Sequence, residues 1–491
     1  MDRGEPDLIG LRPDLRRSVR WALGIFVALL LARSLVWLWP ASFGAYTRGE
    51  IDLRGRRIYS PRFGVRAGTV AKMHLQRIHG DLLPGWALTL NEEAAGAASR
   101  EKLSALRVET ASDPNLAKLV EELAKTADLP RGAARANRFS YLIWAWSEYL
   151  DRAGAAWRLE PMVRLVAGHP SVYLKSYRVV ATVHATLNGT ACRARLVTRA
   201  DRVNVVEGAL GHTASGHAGA LVVLDRIRDF AENQVWSLLN EANDTTLAPL
   251  DAAFAQSVRD EAARSLPGDS LAVLHETATD RHVLLLTAKA IRERHGCGRS
   301  FWLRNVPPAG LAEDTLSVIK TAATTPYEAC PEVTPTEVTT LTEASARLSA
   351  TSQLSPALAA LSTWIARAVT IHELRHAADG GLDGDALTSP CVACPDHLSN
   401  AMRGELSAYL TGLGAEGTAY VSAYQACGGA EDGTPSGAAV AALTPAVLPH
   451  GCRAAPPADL AERARSMESR LFRRTASVSF APPFPSLDPP P

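Results

Sequence analysis

His372, Glu373 and His376 are the residues whose types and spacing most directly imply chemistry. They lie in TWIARAVTIHELRHAAD, residues 363–379, where Ile365, Val369, Ile371 and Leu374 recur at helical spacing and no Gly or Pro intervenes before Gly380. On a helix, residues four apart stand one above the other, so the two imidazoles present their nitrogens to one ion. Glu373, offset by one position, reaches a water held by that ion without being forced to ligate it. This is the HExxH arrangement, in which zinc lowers the pKa of its water and the glutamate takes the proton as general base. The bland alternative is a solvated helix face carrying two ordinary histidines, and the helical context favours the metal.

A catalytic zinc takes a third protein donor and keeps a fourth position open. Residues 399–413, SNAMRGELSAYLTGL, read as a second helix with Ser399 or Asn400 as N-cap. Glu405 lies 29 residues beyond His376, and the small side chains of Ala401 and Ala408 beside it allow close approach of the two helices. With these residues the chain resembles the gluzincins, zinc metallopeptidases with HExxH on one helix and a ligand glutamate on a following one. The resemblance covers residues 363–413, about a tenth of the chain. It implies that His372, His376 and Glu405 hold one Zn2+ per chain, that Glu373 is the base, and that the substrate is a peptide or protein.

Other donors stay in contention. Asp379 shares the histidine face and would either ligate or accept the free ring N–H of a histidine; His397 and Asp396 lie in a turn-rich segment within reach. A Tyr or His normally assists the developing oxyanion. Tyr409 is the first candidate, with Tyr420, Tyr424 and His397 behind it. Three other readings remain: a catalytically silent envelope scaffold that keeps the zinc fold, a zinc hydrolase of cell-wall amides or other non-peptide bonds, and a metal-free interaction module.

Stepping outward along the chain, 491 residues exceed one ordinary core, so two or three units are expected. A net charge of +1 gives no support for nucleic-acid binding. Residues 1–20 are basic, with Arg12, Arg16, Arg17 and Arg20 leading into the apolar run 21–39. That run has the length of a membrane span, interfacial tryptophans at both ends and positive charge before it. It predicts a single-pass anchor with the catalytic domain outside the membrane, periplasmic or extracellular; a cleavable signal peptide is the rival. The seven cysteines, six of them in the C-terminal two-fifths, fit an exported, disulfide-bearing chain with Cys192 left over. Cys391 and Cys394, a CxxC pair, are read as disulfide-bonded, locally or to Cys427 and Cys452, ahead of a second zinc site.

The fold class expected is α+β and mainly helical, with an N-terminal anchor, a small antiparallel sheet and a C-terminal zincin-like metal domain. The segments read as a helical region 45–165, a sheet plus helix over 170–245, the metal domain over 250–475 and a disordered Pro-rich tail over 481–491. Within them, 137–153 reads as an amphipathic helix, and 173–186, 191–197 and 202–206 as a three-stranded meander about Asn188-Gly189. The stretch 211–219, GHTASGHAG, reads as a flexible turn, and 221–240 as a helix. Short strands are expected at 270–275 and 283–286, and an exposed connection over 307–340.

Overall fold

The computed structural model describes residues 64–92, 96–201, 209–213, 219–240, 247–294, 306–324, 333–380, 391–431, 433–475 and 477–487, with Gly24, Phe26 and Val27. The expected anchor at 21–39, apart from those three helical residues, lies outside the described residues, as do the strand expected at 202–206 and Cys297 and Cys330. The chain divides into two compact units. One comprises residues 1–178 with 199–205; the other comprises 179–198 and 206–491. The structure is mostly helical with a curled mixed sheet.

The first unit is built on helices. A π-helical turn, Arg77–Leu82, leads into α1 (Leu83–Thr89), followed by α2 (Ala97–Thr110), α3 (Pro114–Ala127) and α4 (Ala133–Arg152). Asp113 starts α3 by accepting the N–H groups of Asn115 and Leu116, with Pro114 at the first helical position, where a missing N–H costs nothing. Three of the five aromatics of α4 are core: Phe139, Trp146 and Tyr149 are buried, and Tyr141 and Trp144 half-buried. Trp146 donates its indole N–H to Nε2 of His79 at 3.2 Å. Burial drives the His79 pKa down to about 3, so the ring stays neutral and able to accept. Strand β1 (Trp157–Val166) then pairs antiparallel with the first half of β2 (His169–Leu187), across a turn whose Ala167 and Gly168 both have positive φ. Pro161 in β1 obscures it in the sequence, but β1 ends the sheet order, where proline is tolerated.

The second unit starts from the far half of β2 and β3 (Thr190–Arg199), then adds β4 (Gly211–Thr213) and β5 (Ala220–Val223). The order is β1-β2-β3-β5-β4, and β5 runs parallel to β3, so the sheet is mixed and not purely antiparallel as expected. Two readings change together here. Residues 220–223 are a wholly buried strand and the helix begins only at α5 (Leu224–Phe230); the supposed turn at 211 opens with strand β4. A four-residue apolar run does not by itself tell a buried strand from a helix.

Helices α6 (Pro249–Ser265) and α7 (Gly268–Arg294) follow. The two short strands expected within α7 do not exist: no Gly or Pro breaks residues 269–294, and Leu274, Ala278, Arg281, Leu284, Ala288 and Ile291 are buried at helical spacing. The expected connection over 307–340 instead contains α8 (Glu313–Thr324) and the start of α9 (Pro335–Ala350). Thr334 and Glu337 form a reciprocal capping box there, so the Thr-Pro pair marks a helix start. Helices α10 (Leu354–Ala378), α11 (Asn400–Leu413), α12 (Ala419–Gly428), α13 (Pro435–Leu443) and α14 (Leu460–Phe472) complete the unit. Among the described residues only α10 is long and apolar enough to cross a membrane, and it is mostly buried within the protein. By that burial α10 is a core helix.

Residues 481–487 of the tail expected to be disordered are packed in place. Strand β6 (Val478–Phe480) pairs with residues 185–187 of β2, the rings of Phe480 and Phe484 meet edge to face, and Leu487 is buried with its N–H on Thr363 Oγ1. Three apolar anchors outweigh the prolines between them. Leu487→Ala should therefore lower the unfolding free energy by about 2 kcal/mol, read by denaturant titration; a free tail would give no change.

Candidate metal centre

Two helices and one strand make the site. Helix α10 carries His372, Glu373 and His376, and α11 packs against it, started by Ser399, whose hydroxyl accepts the Met402 N–H. Gly404 and Ala408, both buried, flank Glu405 and keep the helices close. The donors converge: His372 Nε2 lies 3.1 Å from His376 Nε2. Glu405 places Oε2 3.7 Å from His372 Nε2 and Oε1 3.6 Å from His376 Nε2. A zinc ion about 2.0–2.2 Å from each donor in tetrahedral geometry spans donor separations of roughly 3.3–3.6 Å. Two imidazoles and a carboxylate at these separations fit a divalent cation of that size.

Electrostatics favour the same occupant. Burial, helped by neighbouring His376, pushes the His372 pKa down to about 3, leaving a neutral ring with a lone pair to offer. Burial also works against charge on His376, but the hydrogen bond to Glu405 and the carboxylates of Glu373, Glu405 and Asp379 outweigh it and raise its pKa. Glu405 shows the reciprocal effect: burial is overcome by the two histidines and its pKa falls. Glu405 and the neighbouring carboxylates favour positive charge at the His376 ring, so a proton and a cation compete for the same place.

Glu373 does not join the donor group. Burial raises its pKa to about 7, with Glu405 adding to the rise and His376, His212 and the Thr213 hydroxyl opposing it. A carboxylate with a pKa near neutrality is suited to take and return a proton. Strand β4 holds it. Thr213 Oγ1 donates towards the Glu373 carbonyl (3.1 Å) and Oε2 (3.2 Å). Gly211 comes so close that a Cβ there would stand 2.7 Å from Glu373 Cγ. Neither contact is legible in the sequence, because 160 residues separate Thr213 from Glu373.

The other residues singled out in the sequence fall in different places. Asp379 orients no histidine and is absent from the donor group. Its Oδ1 accepts from Arg375 (2.5 Å), its Oδ2 from Ser407 (2.6 Å), and Arg474 bonds both oxygens at 3.3 Å. Arg474 also reaches Ser407 and Glu468, and Glu468 accepts from Thr411. This buried network ties α10, α11 and the residues after α14 together, because a buried carboxylate requires partners and arginine supplies several at once. His397 and Asp396 are exposed and outside the group. Tyr420 donates to the Pro457 and Ala458 carbonyls and Tyr424 to Asp251, which commits both hydroxyls elsewhere. Tyr409, one turn after Glu405, has its ring 4.9 Å from that of His372. Burial pushes its pKa up to about 12, the Ser436 hydrogen bond opposing and the two glutamates adding, so it remains a proton donor.

The donors open onto a cleft of about 680 Å³. One side is formed by Leu210, Gly211 and His212, another by Arg226, Phe230 and Gln234 of α5 and the turn after it, and a third by residues after α12. The cysteine reading is partly testable: Cys391–Cys394 and Cys427–Cys452 are bonded, and Cys192 is a free thiol.

No family model, curated protein or solved structure matches this chain. The site therefore stands on its own geometry. His372→Ala and Glu405→Ala should each reduce bound zinc from one ion per chain to a substoichiometric amount by elemental analysis. Affinity should fall as pH drops through the raised His376 pKa, because the proton competes with the ion for that nitrogen; calorimetry in two buffers would read the proton released.

Proposed function

We propose that this chain is a zinc-dependent metallopeptidase, with the metal on His372, His376 and Glu405 and Glu373 as general base. The observation that carries the reading is the convergence of these donors beside a buried glutamate at an open cleft. The bound zinc would supply Lewis acidity and an activated water. Glu373 takes the proton of the attacking water and returns it to the leaving amine. Tyr409, a buried hydroxyl beside His372, is placed to donate to the charge that develops on the scissile carbonyl.

A peptide is the substrate that suits strand β4. Among the described residues β4 pairs with β5, and its Gly211 and His212 line the cleft, so an extended chain bound there would lie along this strand. The two disulfides favour an oxidising compartment. With the basic segment 1–20 and the apolar run 21–39, they support a membrane-anchored enzyme whose catalytic part is periplasmic or extracellular.

The test is Glu373→Gln on the zinc-loaded protein with a peptide library. Hydrolysis should fall by about 10²–10⁴-fold with zinc content unchanged. Retained hydrolysis would remove Glu373 from the mechanism, and an inactive wild type with full zinc would return the chain to a binding role. The acid limb of the wild-type pH profile should lie at or below about 7, since the base must be ionised and a cation beside it only stabilises the ionised form.

A further inference from the structure

We infer that Thr213 is the positioning residue for Glu373: its hydroxyl, with the close backbone of Gly211, fixes the orientation of the carboxylate that serves the metal. The inference rests on the reading of Glu373 as the base. A glutamate side chain has three rotatable bonds, and helix α10 alone does not choose among their settings. Residues 211 and 213 point to the same face of β4, and both meet Glu373. Thr213 Oγ1 holds Oε2, while a Cβ on residue 211 would stand 3.0 Å from Oε1 and 2.9 Å from the Leu221 carbonyl, which cannot move without disturbing β5. The carboxylate is thus gripped at one oxygen and confined at the other.

The hydroxyl also suits both states of the base. It has one proton and faces two acceptors, the Glu373 carboxylate and the Glu373 carbonyl. When the carboxylate is ionised it is the stronger acceptor. Once it has gained a proton, the hydroxyl turns to the carbonyl and offers a lone pair instead. Glu373 can therefore take and return a proton without losing its partner or its aim. A purely structural role, a staple between β4 and α10, would need only the carbonyl contact.

A small zinc-binding probe separates the two roles without a known substrate. Acetohydrazide binds zinc as a neutral ligand through its carbonyl oxygen and terminal nitrogen, and keeps an N–H to donate to the ionised carboxylate of Glu373. Its affinity would be measured by calorimetry on the full zinc-loaded chain. Thr213→Val should weaken binding about tenfold, the scale of one hydrogen bond to a charged acceptor, with zinc content unchanged. Thr213→Ser should restore it to within about twofold of wild type. In a Glu373→Gln background, Thr213→Val should add nothing, because the interaction it removes acts through the ionised carboxylate. Unchanged binding in Thr213→Val, or an equal loss in both backgrounds, overturns the positioning role while leaving the metallopeptidase reading intact. A wild-type chain that holds no zinc overturns both.

Discussion

Placing ionisable groups away from water is the constraint from which this structure is best understood. Helix α10 is buried along most of its length, and its last turns with the C-cap Asp379 keep two imidazoles, two carboxylates and the Arg375 guanidinium there. An isolated charge in such surroundings costs several kcal/mol, so each group must be matched or neutralised. The two sides of the helix solve this differently. Around Asp379 the solution is internal: Arg375, Arg474 and Ser407 close the network with protein groups. Around His372 and His376 the donors converge on one another and on Glu405, an arrangement with room for a cation. The first arrangement is a fastening, whereas the second has the character of a receptor.

This contrast bears on how much the sequence discloses. His372, Glu373 and His376 are legible because their relation is local and one helix enforces it. Glu405 is legible because a capped helix with small residues follows at a spacing that brings it back. Asp379 shares the histidine face by arithmetic, yet it turns to Arg474, 95 residues away. Position on a helix fixes a direction, and long-range partners decide what that direction meets. Thr213 and Gly211 are the extreme case, since nothing local marks a three-residue strand in a glycine-rich stretch as the neighbour of a glutamate beyond several helices.

The fold follows the same rule. Long elements with repeated apolar spacing, α4 and α10 among them, are evident from the chain. Errors cluster where a short apolar run is ambiguous, as in α7 and β5, and where composition misleads, as with the threonines of α9 and the prolines before Leu487. In each case tertiary burial settles an issue that propensity leaves open. Pro161 shows the reverse: a residue that argues against a strand is accommodated because the strand lies at the end of its sheet.

The bond between Cys427 and Cys452 gives the cleft an asymmetry. The segment it encloses contains Gly428, Gly429, Glu431 and Ser436, all of which line the cleft. That side is a covalently closed loop, like a jaw fixed to its frame. The facing side, β4, is held by a few hydrogen bonds to β5 and to Glu373. A force that widens the cleft would displace the noncovalent jaw first, and that jaw holds the Glu373 carboxylate. A widening of the cleft would therefore reach the setting of Glu373 before it reached the donor group of His372, His376 and Glu405.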